Sequence, residues 1–140
     1  MTTLTPAQRL RAVLNWVNLS TPLGFAVAHT GGARPHRGPG GLWIAEGYRL
    51  GFPKAGAFTI GNVITIPRAT LRSLTTRNPR ILEHEAAHST QWTLCLGLPF
   101  LPLYGLAVTW SKWRTGTTYA SNIFEVSAGL ARGGYRRIQV

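Results

Sequence analysis

The sequence predicts an α+β fold: a short β-hairpin or sheet, then a helix bearing a chemical motif, then two further helices. Three observations lead there. A two-residue turn signal, Gly61-Asn62, sits between two β-branched runs. A helix-start signal, Asn78-Pro79, opens a stretch whose apolar residues recur at helical spacing. Prolines and glycines then divide the remaining chain into helix-length segments.

Taken in order, residues 1–11 are polar and carry Arg9 and Arg11, whereas residues 12–28 (AVLNWVNLSTPLGFAVA) carry no charge. A basic start, an apolar middle and Ala26-Val27-Ala28 have the outline of a signal peptide. Asn15, Asn18, Ser20, Thr21 and Pro22 interrupt that middle, so the preferred reading is an amphipathic helix over roughly 6–18, packed on the domain or lying on a membrane. Residues 29–41 (HTGGARPHRGPGG) read as a Gly/Pro/Arg-rich loop. Leu42–Leu50 reads as a strand, and Ala57–Ile60 and Val63–Ile66 as the arms of the hairpin, with Pro67 ending the second arm. A short helix is expected over 68–76. In the next helix Asn78 serves as cap and Pro79 as first residue, and the helix runs to about Leu96 with Gly97 as terminator. Residues 98–114 and 122–132 supply the last two helices, the second stopped by Gly133-Gly134. A chain of 140 residues makes one domain, with 1–28 as an N-terminal helical segment that contacts either the core or a membrane.

Charge is unevenly distributed between signs. Fifteen basic residues, 13 of them Arg, face four acids, Glu46, Glu83, Glu85 and Glu125, for a net charge of +11. Such a surface suits an anionic partner, such as a membrane surface, nucleic acid or an acidic protein; the bland alternative is a solvated basic surface. The basic residues are scattered, with short clusters at Arg9/Arg11 and Arg132/Arg136/Arg137, and no nucleic-acid module is present, so nucleic acid rests on charge alone. Cys95 is the only cysteine, which excludes an internal disulfide and a cysteine-based metal site. Ser89 to Ser111 holds no charged residue over 23 positions, long enough to span a bilayer. Gly97, Pro99, Pro102 and Gly105 interrupt it, so it reads as two helices meeting at a turn, with a monotopic membrane contact as the second reading. The expected location is therefore the cytoplasm or the periphery of a membrane. The oligomeric state is not legible.

The motif that carries chemistry is His84-Glu85-Ala86-Ala87-His88. Positions i and i+4 lie on one helical face, so the two imidazoles can converge on one metal ion. Glu85 lies one step round the helix, where it can act as general base toward water activated by zinc. Random ordering of this composition yields the motif in roughly 0.2% of chains, which favours a zinc site over two histidines on an ordinary surface helix. A catalytic zinc needs a third protein ligand. Glu125 begins a helix 37 residues after His88, where a carboxylate could return to the metal. The competing reading is a helix cap, since Asn122-x-x-Glu125 fits a capping box. His29 and His36 are rival ligands, Glu46 is structural or a substrate-side group, and Glu83 is a solvated residue facing away. Tyr104, Tyr119, Tyr135, His29 and His36 are candidates for the donor that an oxyanion requires. Gln91 lies on the face of His84 and either packs in the core or supports a ligand.

These residues resemble a known pattern. His84, Glu85 and His88 followed by Glu125 on a later helix, with Ala128 three residues on, resemble the gluzincin arrangement of zinc peptidases seen in thermolysin-like enzymes. The chain is also similar to small bacterial HExxH-x-x-Gln proteins, in which Gln91 and an apolar Gly/Pro-rich segment such as Leu96–Tyr104 follow the motif. The resemblance covers roughly residues 57–128. It implies a small zincin-like domain, a Zn²⁺ cofactor, a peptide or protein substrate, and hydrolysis with Glu85 as base. It further implies that Val63–Ile66 is an edge strand to which substrate adds. The Asn-x-x-x-Glu ligand helix and the large domain of full-size gluzincins are missing. Two readings without peptidase activity stand beside this one: a basic membrane-associated protein, and a metal-binding pseudoenzyme.

Overall fold

The turn at Gly61-Asn62 joins two paired strands, β3 (Phe58–Ile60) and β4 (Val63–Pro67), with Ile60 opposite Val63 in antiparallel register. Gly61 is required there twice over. Its φ of 61° lies in the left-handed region, and a Cβ at this position would come within 2.4 Å of the Thr21 backbone nitrogen. The computed structural model describes residues 3–135. Within them a mixed four-stranded sheet is combined with six α-helices.

Two more strands, β1 (Arg34–Arg37) and β2 (Trp43–Tyr48), complete the sheet in the order β1-β2-β4-β3. β2 runs parallel to β4, with Ile44 opposite Ile64, and antiparallel to β1. β4 is therefore a central strand, and the expectation that Val63–Ile66 forms an edge is corrected. Its physical signature is visible: Val63, Ile64, Thr65 and Ile66 are all buried, as in a strand covered on both faces rather than one. The edge strand on that side is β3. Residues 29–41 are likewise more ordered than a loop, because Arg34–Arg37 pairs with β2 across a short 3₁₀ turn at Pro39–Gly41. The core on one sheet face gathers Leu42, Ile44, Ile64, Ile66, Leu74 and Ile81; on the other it gathers Ala28, Ala33, Ala45, Tyr48 and Val63. Each fully buried Ile there contributes about 1.5–3 kcal/mol of transfer free energy.

The expected N-terminal helix is α1 (Pro6–Val17), started by a Thr5/Gln8 capping box with Pro6 in its first turn. Its packing face is polar rather than apolar. Asn15 is fully buried and donates to Asn62 Oδ1 (3.0 Å) and to Ser89 O (3.0 Å), while Thr93 Oγ1 donates to Asn15 Oδ1 (2.8 Å). A second helix follows at α2 (Ser20–Thr30), which places Ala26–Ala28 inside a helix, with Ala28 in the core.

Beyond the sheet come α3 (Leu71–Arg77), α4 (Ile81–Leu94), α5 (Phe100–Thr115) and α6 (Ile123–Ala128). α4 is the motif helix, but Asn78 does not cap it. Asn78 ends α3, and its side chain donates to the distant Arg132 carbonyl (2.7 Å), so α4 begins only at Ile81. α6 stops at Ala128, short of the expected 132, because Gly129 takes a φ of 92° that a helix does not allow. Of the basic cluster Arg132/Arg136/Arg137, the last two lie outside the described residues.

Candidate metal centre

α4 carries His84 and His88 on the face turned toward α6, and both side chains are buried. Their Nε2 atoms lie 3.0 Å apart. Glu125, near the start of α6, brings Oε2 to 3.0 Å from His84 Nε2 and Oε1 to 3.3 Å from His88 Nε2. Among the described residues this is the one cluster of three metal-capable side chains. A tetrahedral site with bonds of about 2.0–2.1 Å has edges of roughly 3.3–3.4 Å, so the triangle needs only a few tenths of an ångström of opening to hold zinc.

The outer partners fix which nitrogen of each ring faces inward. His84 Nδ1 lies 2.8 Å from the Gly129 carbonyl, and His88 Nδ1 lies 2.8 Å from Gln91 Oε1. The Gln91 amide is itself oriented, since its Nε2 donates to Phe124 O and Ser127 Oγ, both at 2.9 Å. Both Nδ1 atoms must then carry hydrogen and donate outward, which leaves both Nε2 lone pairs facing the carboxylate. Three acceptors aimed at one point require a cation between them, either a proton or a metal ion. Gln91 thus ties His88 to the helix that supplies Glu125, a supporting role rather than simple core packing.

Glu125 does not serve as the reciprocal half of a capping box. Asn122 accepts from the backbone of Phe124 (3.0 Å) and Glu125 (3.5 Å), but the Glu125 carboxylate turns inward to the histidines and accepts from Tyr104 Oη. Burial alone would push this carboxyl up; hydrogen bonds with His84 and His88 outweigh it and hold it far below the usual range. Burial likewise opposes charge on His88, yet the Glu125 carboxylate and the nearby Glu85 raise it to about 9.

Glu85 is also buried, against Thr59 of β3, whose Oγ1 donates to Glu85 Oε2 at 2.6 Å. Trp92 Nε1 donates to the Thr59 carbonyl (2.9 Å), so α4 and the edge strand are locked together at this residue. Burial raises the Glu85 carboxyl above its ordinary range, with His88, Thr59 and His84 pulling the other way. Among the described residues no donor reaches its Oε1.

The other candidates separate cleanly. His36 pairs with Glu46 (2.9 Å) on β1 and β2, and Glu46 also accepts from the Leu71 backbone, so Glu46 is structural. His29 is exposed at the end of α2. Neither histidine belongs to the cluster. Glu83 faces out and pairs with Arg80 at 2.7 Å and Arg132 at 3.5 Å. Tyr104 belongs to the site through Glu125. Tyr119 lies one layer out, stacked on Tyr135 at 4.5 Å, and Tyr135 in turn stands 5.9 Å from the His84 ring. Burial, then the nearby carboxylates, push the phenols of Tyr104 and Tyr135 up, so both are neutral donors.

Compared with known proteins, the chain matches no family model, no curated protein and no solved structure. Its site must therefore be read from its own residues. Two of those were invisible to sequence reasoning. Thr59 is an ordinary strand residue until β3 meets α4. Gly133 packs its backbone against His84, where a Cβ would stand 2.6 Å from Cε1 of the ring. The Gly133-Gly134 pair reads in the sequence as the stop of the last helix, which in fact ends at Ala128; its close approach to His84 is the reason the structure gives for glycine at 133.

Proposed function

We propose that this chain is a zincin-like zinc peptidase of the gluzincin arrangement, acting on a peptide or protein substrate. One observation carries the reading: two histidines of fixed tautomer and a charged glutamate converge on one point, beside a buried glutamate of raised pKa. Metal binding and base catalysis need those same residue types.

His84, His88 and Glu125 are the residues that would hold the ion. Zinc bound there supplies a Lewis acid that polarises a carbonyl oxygen and lowers the pKa of water. Glu85 takes the proton at Oε1 while Thr59 holds Oε2, and then returns it to the leaving amine. A base whose pKa lies above the ordinary carboxylate range is better matched to work near neutral pH. Tyr104 orients the carboxylate ligand, and Tyr135, against His84, is the phenol left to serve a developing oxyanion. β3 is the sheet edge beside Glu85 and is the strand along which substrate would lie, although its Thr59 carbonyl already accepts from Trp92. The test is cleavage of an unfolded protein such as casein: activity should disappear with a chelator and return with zinc. Zinc-loaded protein that cleaves nothing across a broad peptide library would leave the metal-binding pseudoenzyme.

The electrostatics add a pH prediction. In the metal-free chain His88 holds its proton more tightly folded, at about 9, than unfolded, at 6.5. Its contribution to stability is complete below about 6.5 and is lost as pH rises through about 9. Zinc must displace that proton. Calorimetry at pH 7 in buffers of different ionisation enthalpy should therefore show a proton released from this pair on zinc uptake, fading above pH 9. Uptake with no proton release at pH 7 would contradict the shared-cation geometry.

A further inference from the structure

The two uncharged stretches, 12–28 and 89–111, are far apart in sequence but meet in the fold. Gly97 abuts Asn18 so closely that a Cβ on Gly97 would stand 2.6 Å from the Asn18 carbonyl oxygen. Around that corner apolar side chains point into water: Val17 at the end of α1 with Leu19 after it, and Leu94 at the end of α4 with Leu96 after it. Val17 is 72% exposed and Leu96 78%. Leu19 and Leu96 both adopt left-handed backbone, φ 68° and 60°, an uncommon conformation for leucine.

Further apolar side chains are exposed along α5. This helix fully buries only Phe100 and Ser111 and rests mainly against α6, leaving Leu106 (68%), Trp110 and Trp113 (78%) exposed. Scattered apolar residues on a surface need no explanation, but Leu103, Leu106 and Trp110 gather with Ile123 and Phe124 along one apolar groove between α5 and α6. Trp110 and Trp113 lie together (5.4 Å) at the end of α5, beside Lys112 and Arg114. Aromatic rings flanked by basic residues suit the boundary between lipid tails and headgroups.

Charge selects the occupant. Every side-chain carboxylate is already engaged: Glu85 and Glu125 inside the candidate site, Glu46 with His36, and Glu83 with Arg80. With a net charge of +11, a second copy would bring two unrelieved positive surfaces together. Nucleic acid would leave the leucines and tryptophans unused. We propose that the chain docks on an anionic lipid bilayer through its exposed apolar residues at the α1–α2 corner, at the α4–α5 corner and along α5. The contact is monotopic, since no helix among the described residues is long and apolar enough to cross a membrane. The proposal does not rest on the metal site.

The test is flotation of the full chain with vesicles of phosphatidylcholine alone or of equimolar phosphatidylcholine and phosphatidylglycerol. The wild type should float with the anionic vesicles and not with the neutral ones. The double substitution Leu106→Glu/Trp113→Glu, at exposed positions, should lower partitioning by roughly tenfold or more, with unchanged circular dichroism. Brominated lipid should quench wild-type tryptophan fluorescence, a readout that does not depend on any variant folding. The proposal fails if the wild type does not float, or if quenching is absent. It also fails if the double variant floats as well as wild type, because adsorption by charge alone needs no apolar face. A stable dimer that hides Trp113 and ignores vesicles would assign the face to a second copy instead.

Discussion

Glu85→Gln is expected to leave zinc bound and to lower peptide hydrolysis by about 10²–10⁴-fold, the usual contribution of a positioned general base. Glutamine keeps the shape and can still accept from Thr59 Oγ1, so the contact between α4 and β3 survives. What it loses is the ability to take a proton at Oε1. The same substitution should not lower thermal stability and should raise it modestly. Burial lifts the Glu85 carboxyl above its ordinary range, so ionising it in the folded state costs more than in the unfolded chain. Removing that charge removes the cost, as at other sites where function and stability compete. Kinetics on the zinc-loaded variant and a melting curve check both halves. A variant with wild-type turnover would strip Glu85 of its role, whatever the metal does.

Glu125→Ala has a different expected signature: zinc affinity falls by more than the roughly 10–100-fold typical of losing an outer-shell partner, while α6 stays folded. The helix start depends on the Asn122 side chain, which accepts from Phe124 and Glu125 backbone nitrogens and is untouched by the change. The variant thus separates ligand from cap. It also leaves Tyr104 Oη and both Nε2 atoms without their carboxylate, so His88 loses the partner that holds its proton and should titrate at lower pH than in the wild type. Metal titration against a competing chelator, with circular dichroism for the helix, is the measurement. Unchanged zinc affinity in a folded Glu125→Ala chain would return Glu125 to a structural role.

How far the molecule was legible depended on the range of each signal. The HEAAH helix and the Gly61-Asn62 hairpin were readable because periodicity, turn chemistry and ligand spacing all act within a few residues. α1 and α5 lie close to their expected bounds for the same reason. Glu125 could be proposed because the chain offers only four acids, but that its carboxylate turns inward to the histidines rather than back to the helix start was visible only in the structure. What escaped were facts made by distant contacts. β4 becomes central only because β2 pairs with it in parallel. Asn78 bears a genuine cap signature, yet the Arg132 carbonyl, 54 positions away, takes its side chain. Thr59 reaches Glu85 from β3, and the Gly129 carbonyl and Gly133 reach His84 from a loop; none of these segments carries a sequence sign of its target. The polar seam from Asn15 to Asn62, Ser89 and Thr93 was also hidden, since asparagine on a helix ordinarily reads as solvated.

Elemental analysis of the purified protein decides whether His84, His88 and Glu125 hold a metal ion. The chain and its His84→Ala variant would be offered zinc, iron and manganese together, then freed of loosely held ions and analysed. One zinc per wild-type chain, and none in a folded His84→Ala chain, is the expected result. A wild-type chain that takes up no metal would contradict the site, and one that prefers iron would contradict zinc as its ion.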